Sequence, residues 1–212
     1  MERVRTSYDT VAEQYADHLV DELEQKPLER ALLRCFAELT AHVDGPVADV
    51  GCGPGHVSHQ LRDLGCEVVG IDLSPRMVEV ARARFPGMEF SVGSMLELPP
   101  DVEWAGAVVL YSIIHLAPEQ RRQAYKELSR AIRPGGVLLV GFHVGDAEHG
   151  PGDTQHLDEW WEQQVDLDAY YLDPDEVSSD LVAAGFTITT RVDRPPQPGE
   201  YPSRRCYLLA TR

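Results

Sequence analysis

The clearest chemistry in the chain lies in one stretch, Pro46-Val-Ala-Asp-Val-Gly-Cys-Gly-Pro-Gly-His56. A short apolar run carrying an acid, Asp49, breaks into glycines at alternate positions, Gly51, Gly53 and Gly55. Glycine can take φ > 0 and, lacking a Cβ, lets backbone approach a ligand closely. A helical pattern follows from Val57 to Leu64. Its N-terminus offers unpaired N–H groups and a partial positive charge, which suit a carboxylate or phosphate. A second acid, Asp72, closes the next apolar run. Together these residues predict a site for a small ligand with an anionic group. The pattern is not a P-loop, since no Gly-Lys-Ser/Thr follows. A dinucleotide fingerprint would need Gly or Ala where His56 stands, so a nicotinamide cofactor, and with it an NAD-dependent oxidoreductase, is disfavoured.

The elements that position these residues follow from periodicity. Residues 1–45 predict two helices, from Thr10 to about Leu23 and from Pro27 onward, with Leu28, Leu32, Phe36 and Leu39 on one face. Strands are expected at Pro46–Val50, Glu67–Asp72, Met88–Val92, Gly106–Tyr111 and Val137–His143, with helices at Pro75–Arg84 and Pro118–Ile132. Pro134-Gly135-Gly136 reads as a helix stop. Alternating strands and helices predict a doubly wound α/β fold around a mostly parallel sheet. Gly145–Tyr171 reads as loop, followed by a helix from Asp173 to Ala184, a sixth strand at Phe186–Val192 and a seventh at Tyr207–Thr211. The last two strands are expected to form a hairpin. One domain spans 1–212: a helical lid (1–45), a cofactor-binding half (46–144) and a substrate-side half (145–212).

Composition narrows the partners. The net charge of −16 argues against nucleic acid and against an anionic membrane surface. Cys35, Cys52, Cys66 and Cys206 show no metal spacing, and His143, His149 and His156 match no ligand pattern, so no metal is expected. No apolar run approaches membrane-spanning length, and no leader precedes the charged N-terminus, so a cytoplasmic location is expected. A monomer or homodimer is anticipated.

Asp49-Val-Gly-Cys-Gly-Pro-Gly55, with Gly70-Ile-Asp72-Leu-Ser74 after it, closely resembles the class I S-adenosylmethionine-dependent methyltransferases. Tyr8-Asp9…Ala12…Tyr15, Ser112-Ile-Ile-His115-Leu116 and Leu128–Gly136 resemble further signatures of that family, in order, over nearly the whole chain. The resemblance implies a seven-stranded Rossmann-like sheet with an antiparallel C-terminal strand, S-adenosyl-L-methionine as cofactor, and methyl transfer to a small-molecule O or N acceptor. It implies that Gly51, Cys52, Gly53 and Gly55 lie against the methionine part of the cofactor and that Asp49 helps hold its ammonium. Asp72 would accept from the ribose hydroxyls, Leu73 pack on adenine, and Tyr111 and Ser112 line the methionine end. Many relatives carry Gly-Asp where this chain has Gly93-Ser94-Met95, so Ser94 and Met95 are expected near adenine without a charge. Tyr15 is expected to touch the cofactor.

Methyl transfer from a sulfonium needs aligned approach and a dry pocket, and a base where the acceptor is a hydroxyl or amine. His115, after the fourth strand, is the first candidate base, and His143, ending the fifth, the second. From Pro134 to Thr190 there is no Lys or Arg against twelve Asp and Glu, so this span is not expected to hold a strongly anionic acceptor. Trp160, Trp161, Tyr170 and Tyr171 read either as a wall for a flat or cationic molecule or as cover for a sheet edge. A member that binds the cofactor without transferring methyl is the rival reading.

Overall fold

A computed structural model describes residues 1–212. Its centre is β1 (Val47–Val50), buried at every position, as expected of a parallel strand covered on both faces. β2 (Val68–Asp72) and β3 (Glu89–Val92) extend the sheet on one side. β4 (Trp104–Leu110), β5 (Ile132–Gly145), β9 (Arg204–Thr211) and β8 (Thr187–Arg194) extend it on the other. The order β3-β2-β1-β4-β5-β9-β8 reverses beside β1, and β9 runs antiparallel to both neighbours. Such a reversal opens a crevice at the carboxyl ends of the strands.

Alternate residues of the central strands feed two cores. Val50, Ala107, Val109 and Val140 pack with Tyr125 and Leu128 of α5 (Pro118–Ala131) and Leu181 of α6 (Pro174–Ala183). Val47, Val108 and Leu139 pack with Leu33 and Phe36 of α2 (Pro27–Thr40) and Leu61 of α3 (His56–Asp63).

The first helix, α1, runs Glu2–Leu19, earlier at both ends than the apolar spacing predicts. It is fixed along α4 (Pro75–Arg84) by a stripe of acids. The Asp9 carboxylate accepts from Ser74 Oγ (2.6 Å) and the Arg76 N–H (3.1 Å), Glu13 pairs with Arg76 (2.7 Å), and Asp17 pairs with Arg84.

The loop expected over Gly145–Tyr171 is corrected: β6 (Thr154–Trp160) and β7 (Gln163–Tyr170) form a separate antiparallel hairpin. β6 is mostly polar, with only Leu157 and Trp160 apolar and no continuous apolar face, and the turn carries neither Gly nor Asn. Trp161 (φ 50°) and Glu162 (φ 63°) occupy it instead, in the left-handed conformation those residues usually supply. The hairpin rests on α1, where Val11 packs on Val165 and Leu167 and Ser7 Oγ accepts from the Asp166 N–H (2.9 Å). α5 stops at Ala131, ahead of Pro134-Gly135-Gly136 as expected, but β5 begins at Ile132 rather than Val137 and absorbs these residues in a register shift between Trp104 and Gly106.

Candidate functional site

The glycine loop links β1 to α3 above the crevice. Its Gly51 N–H donates to the Ile71 carbonyl (2.7 Å), holding the loop against the end of β2. Gly51 sits at φ +80°, and a Cβ there would lie 2.3 Å from Ser112 Cβ, so no larger residue fits. Gly55, at φ +87°, starts α3 and lies against the Phe90 ring.

Asp72 ties the loop to the next element. Its Oδ2 accepts from the Gly53 N–H and its Oδ1 from the Ser74 N–H, both at 2.8 Å. Each oxygen keeps a lone pair for a further donor. Desolvation pushes the Asp72 carboxyl up to about 6, against the pull of these N–H groups. Asp49 is 2% exposed and accepts from Ser58 Oγ (2.6 Å). Burial likewise pushes it up to about 6.

A narrow cavity of about 80 Å³ lies at the carboxyl edge. Tyr15, Gly51, Gly53, Asp72, Leu73, Ser94, Met95, Tyr111, Ser112 and His115 line it, joined by Tyr8. Four expected site residues fall outside the lining. Asp49 and Cys52 lie beneath the loop, both buried, and Gly55 packs on Phe90. His143 stacks behind Tyr111 (ring centroids 4.9 Å) and bonds Ser203 Oγ through Nδ1 (2.5 Å). Burial, then the charges of Arg205 and Lys26, hold its pKa near 3, so it is neutral.

His115 joins two other elements. Its Nδ1 is 2.9 Å from the Asp168 carbonyl of β7, which can only accept, so Nδ1 carries the proton. Nε2 therefore accepts from Tyr8 OH of α1, at 2.7 Å. Burial lowers the His115 pKa, opposed by the Asp168 carbonyl and carboxylate, keeping the ring neutral near pH 7. Tyr8 also meets Tyr15 (5.7 Å) and Trp160 (5.9 Å) edge-on, and Trp161 stacks on His18 at 4.2 Å. Trp160 and Trp161 thus stand behind the tyrosines rather than in the cavity lining. Tyr8 carried a signal, its place in the N-terminal motif.

A second polar group was not legible locally. Lys26, Glu29, Arg194, Arg205 and Ser203 are all buried behind Tyr111, and they come from segments far apart in the chain. No group of three or more His, Cys, Asp or Glu side chains is arranged to hold a metal. No helix is long and apolar enough to cross a membrane.

Sheet order, glycine loop and Asp72 define a doubly wound α/β protein with a ligand site at its switch point. Residues 47–136 match the family model described as a methyltransferase domain. The malonyl-[acyl-carrier protein] O-methyltransferase of Enterobacter lignolyticus (strain SCF1) is 32% identical over 150 residues, 68% of this chain and 55% of that protein. The chain spans about half the length of the curated relatives it matches most strongly. The CcbJ methyltransferase from Streptomyces caelestis superposes with a TM-score of 0.72 at 18% identity, over 97% of each chain. The glycopeptide N-methyltransferase MtfA complexed with (S)-adenosyl-L-methionine gives 0.68 at 22%, over 86% of this chain and 93% of that one. These two show a shared fold. Residues 47–136 are thus a methyltransferase domain, and the chain is similar to the class I S-adenosylmethionine-dependent methyltransferases, whose cofactor is S-adenosyl-L-methionine.

Proposed function

We propose that the protein transfers a methyl group from S-adenosyl-L-methionine to an oxygen or nitrogen of a small molecule. One observation carries the reading: the glycine loop, Asp72, Tyr111–Ser112 and His115 line a single cavity at the carboxyl edge of the sheet. The residues fit the cofactor in kind. Asp72, in the lining with a free lone pair on each oxygen, can accept from two adjacent hydroxyls, as on a ribose. Gly51 and Gly53 leave bare backbone for the methionine part, and Leu73, Ser94 and Met95 offer a mostly apolar slot for adenine. Asp49 acts from below the loop, its negative charge favouring the ammonium. Cys52 and Gly55 keep the loop in shape. The bound cofactor supplies an activated methyl on a sulfonium.

The remaining chemistry belongs to side chains of this chain. An acceptor O–H or N–H placed beside Tyr8 gives its proton to the phenol oxygen as the Tyr8 proton passes to His115 Nε2. Nδ1–H stays on the Asp168 carbonyl, and the Asp168 carboxylate stabilises the imidazolium. His143, behind Tyr111, supports that ring. The β6–β7 hairpin and Tyr8 exclude water, which strengthens each polar contact inside.

The cavity, about 80 Å³, is smaller than the roughly 300–1,000 Å³ of ligand sites, so ligand entry requires its lining to open, and Met1, Val4, Tyr8 and Tyr15 bring α1 into that lining. The reading is tested by thermal unfolding with S-adenosylhomocysteine or NAD. Stabilisation by the former alone is expected, and stabilisation by NAD alone refutes it. Conversion of the cofactor to S-adenosylhomocysteine with candidate acceptors then separates an enzyme from a non-methylating binder.

A further inference from the structure

Behind Tyr111 lies a charged cluster that the methyl-transfer chemistry does not use. Arg194 of β8 donates to both oxygens of Glu200 (2.6 and 2.8 Å), and Arg205 of β9, which donates to the Ser203 carbonyl (3.0 Å), forms an ion pair with the same carboxylate (2.9 Å). Lys26, at the start of α2, stands 4.0 Å from it. Arg194, Arg205 and Lys26 are each at most 8% exposed. Cations from separate elements therefore converge on one carboxylate, delivered by the irregular segment between β8 and β9. We propose that Lys26, Arg194 and Arg205 form a recognition site for a carboxylate carried by the methyl acceptor, and that Glu200 fills it as an internal stand-in.

Position is the first argument. Lys26 Nζ and the Arg205 guanidinium face the Tyr111 ring at 5.7 and 5.9 Å. Tyr111 lines the cofactor cavity, so the cluster lies one ring away from it. The φ of +57° at Tyr111 is a costly backbone conformation for an aromatic residue, of the kind that persists at functional sites.

Charge balance is the second. Lys26 has Glu22 as a partner (2.5 Å) and Arg194 has Glu29, whereas Arg205 has Glu200 alone. Moving Glu200 away leaves a buried guanidinium unpaired, a costly state that an incoming carboxylate relieves. Arginine forks match that planar group. Arg194 Nε and Arg205 Nε are buried without a hydrogen-bond partner, so donors remain for further acceptor oxygens.

Mobility is the third. Glu200 lies in a segment outside any helix or strand, and its neighbour Tyr201 is 47% exposed. Swinging it out breaks no sheet pairing but does break side-chain bonds: those of Tyr201 OH with Tyr171 OH and Gln155 Oε1 and that of the Gln197 N–H to Glu200, each 2.9 Å. These cations come from outside residues 134–190, the span not expected to hold a strongly anionic acceptor.

The inference rests on the methyltransferase reading, and the test separates the two. Wild type, Glu200→Ala and Glu200→Gln are titrated, with S-adenosylhomocysteine bound, using benzoate and succinate against benzamide and succinamide. Glu200→Ala is expected to prefer the carboxylates at least tenfold, and the added Arg205→Met change to erase that preference while S-adenosylhomocysteine affinity holds. Equal binding of acids and amides by Glu200→Ala, with S-adenosylhomocysteine affinity intact, overturns the carboxylate site. So does failure of both Glu200 variants to fold, which would make Glu200 a structural counter-ion. Failure of the wild type to bind S-adenosylhomocysteine refutes the underlying reading instead.

Discussion

Replacing Asp49 by Asn should stabilise the folded protein while weakening its hold on the cofactor. Asp49 is 2% exposed in the middle of the central strand, and burial raises its carboxyl from 3.8 to about 6. That rise of roughly two units, at about 1.4 kcal/mol each, makes burying the ionised form cost about 3 kcal/mol. The sign follows from proton binding. Between pH 3.8 and about 6 the folded state holds more of this proton than the unfolded state, so stability falls as pH rises through the window. The cost is complete above pH 6 and absent below 3.8. Asn is never charged, and its carbonyl still accepts from Ser58 Oγ. Asp49→Asn should therefore gain up to about 3 kcal/mol at pH 8, or about 6–12 °C in Tm for a chain of this length, and little at pH 4. Thermal unfolding across pH 4–8 measures this. With S-adenosylhomocysteine the advantage should shrink, because wild type gains about 2.7 kcal/mol at 100 times its Kd and the variant gains less. A variant no more stable than wild type at pH 8, or one whose advantage is the same at every pH, refutes the reasoning.

Four further outcomes are expected. Asp72→Ala removes the acceptor of two backbone N–H groups and of the proposed ribose contacts, and calorimetry should show S-adenosylhomocysteine affinity down about a hundredfold, at about 1.5–3 kcal/mol per charged hydrogen bond. Tyr8→Phe breaks the link to His115 Nε2 and should slow turnover about 10²-fold. Because burial lowers the His115 pKa in the ligand-free protein, the acid limb of wild-type kcat/KM should fall below pH 6.5, and a limb above 6.5 would remove His115 as the base. Gly51→Ala places a methyl 2.3 Å from Ser112 Cβ in a left-handed residue, so chemical denaturation should show a loss of about 2–5 kcal/mol, partly recovered by adding Ser112→Gly.

The donor side was legible because its signals are local. Glycines, Asp49 and Asp72 fall within one βαβ unit, and periodicity placed the sheet strands to within a few residues. The hairpin escaped because β6 alternates weakly and its turn uses Trp161 and Glu162 where Gly or Asn is the usual sign. The meeting of Tyr8 with His115 joins residues 107 apart, and that of Glu29 with Arg194 joins residues 165 apart. No local pattern encodes such pairs. Four expected contacts lie outside the lining for separate reasons: Cys52 points into the core between Gly51 and Gly53, Asp49 turns to Ser58 beneath the loop, Gly55 packs on Phe90, and His143 sits behind Tyr111.

The docking of α1 sets an order of assembly. It leaves the ribosome well before its two supports: Ser74 lies 65 residues beyond Asp9, and Asp166 lies 159 beyond Ser7. An isolated two-stranded hairpin is marginal in water, so β6–β7 in turn waits for α1. During synthesis the apolar stripe of Val4, Val11 and Tyr15 stays uncovered until most of the chain exists. Closure contacts of such separation form slowly. The roof over the cavity is thus the last part to assemble and the first to open, and hydrogen exchange at Val165 and Leu167 should outpace that in β1 and β4.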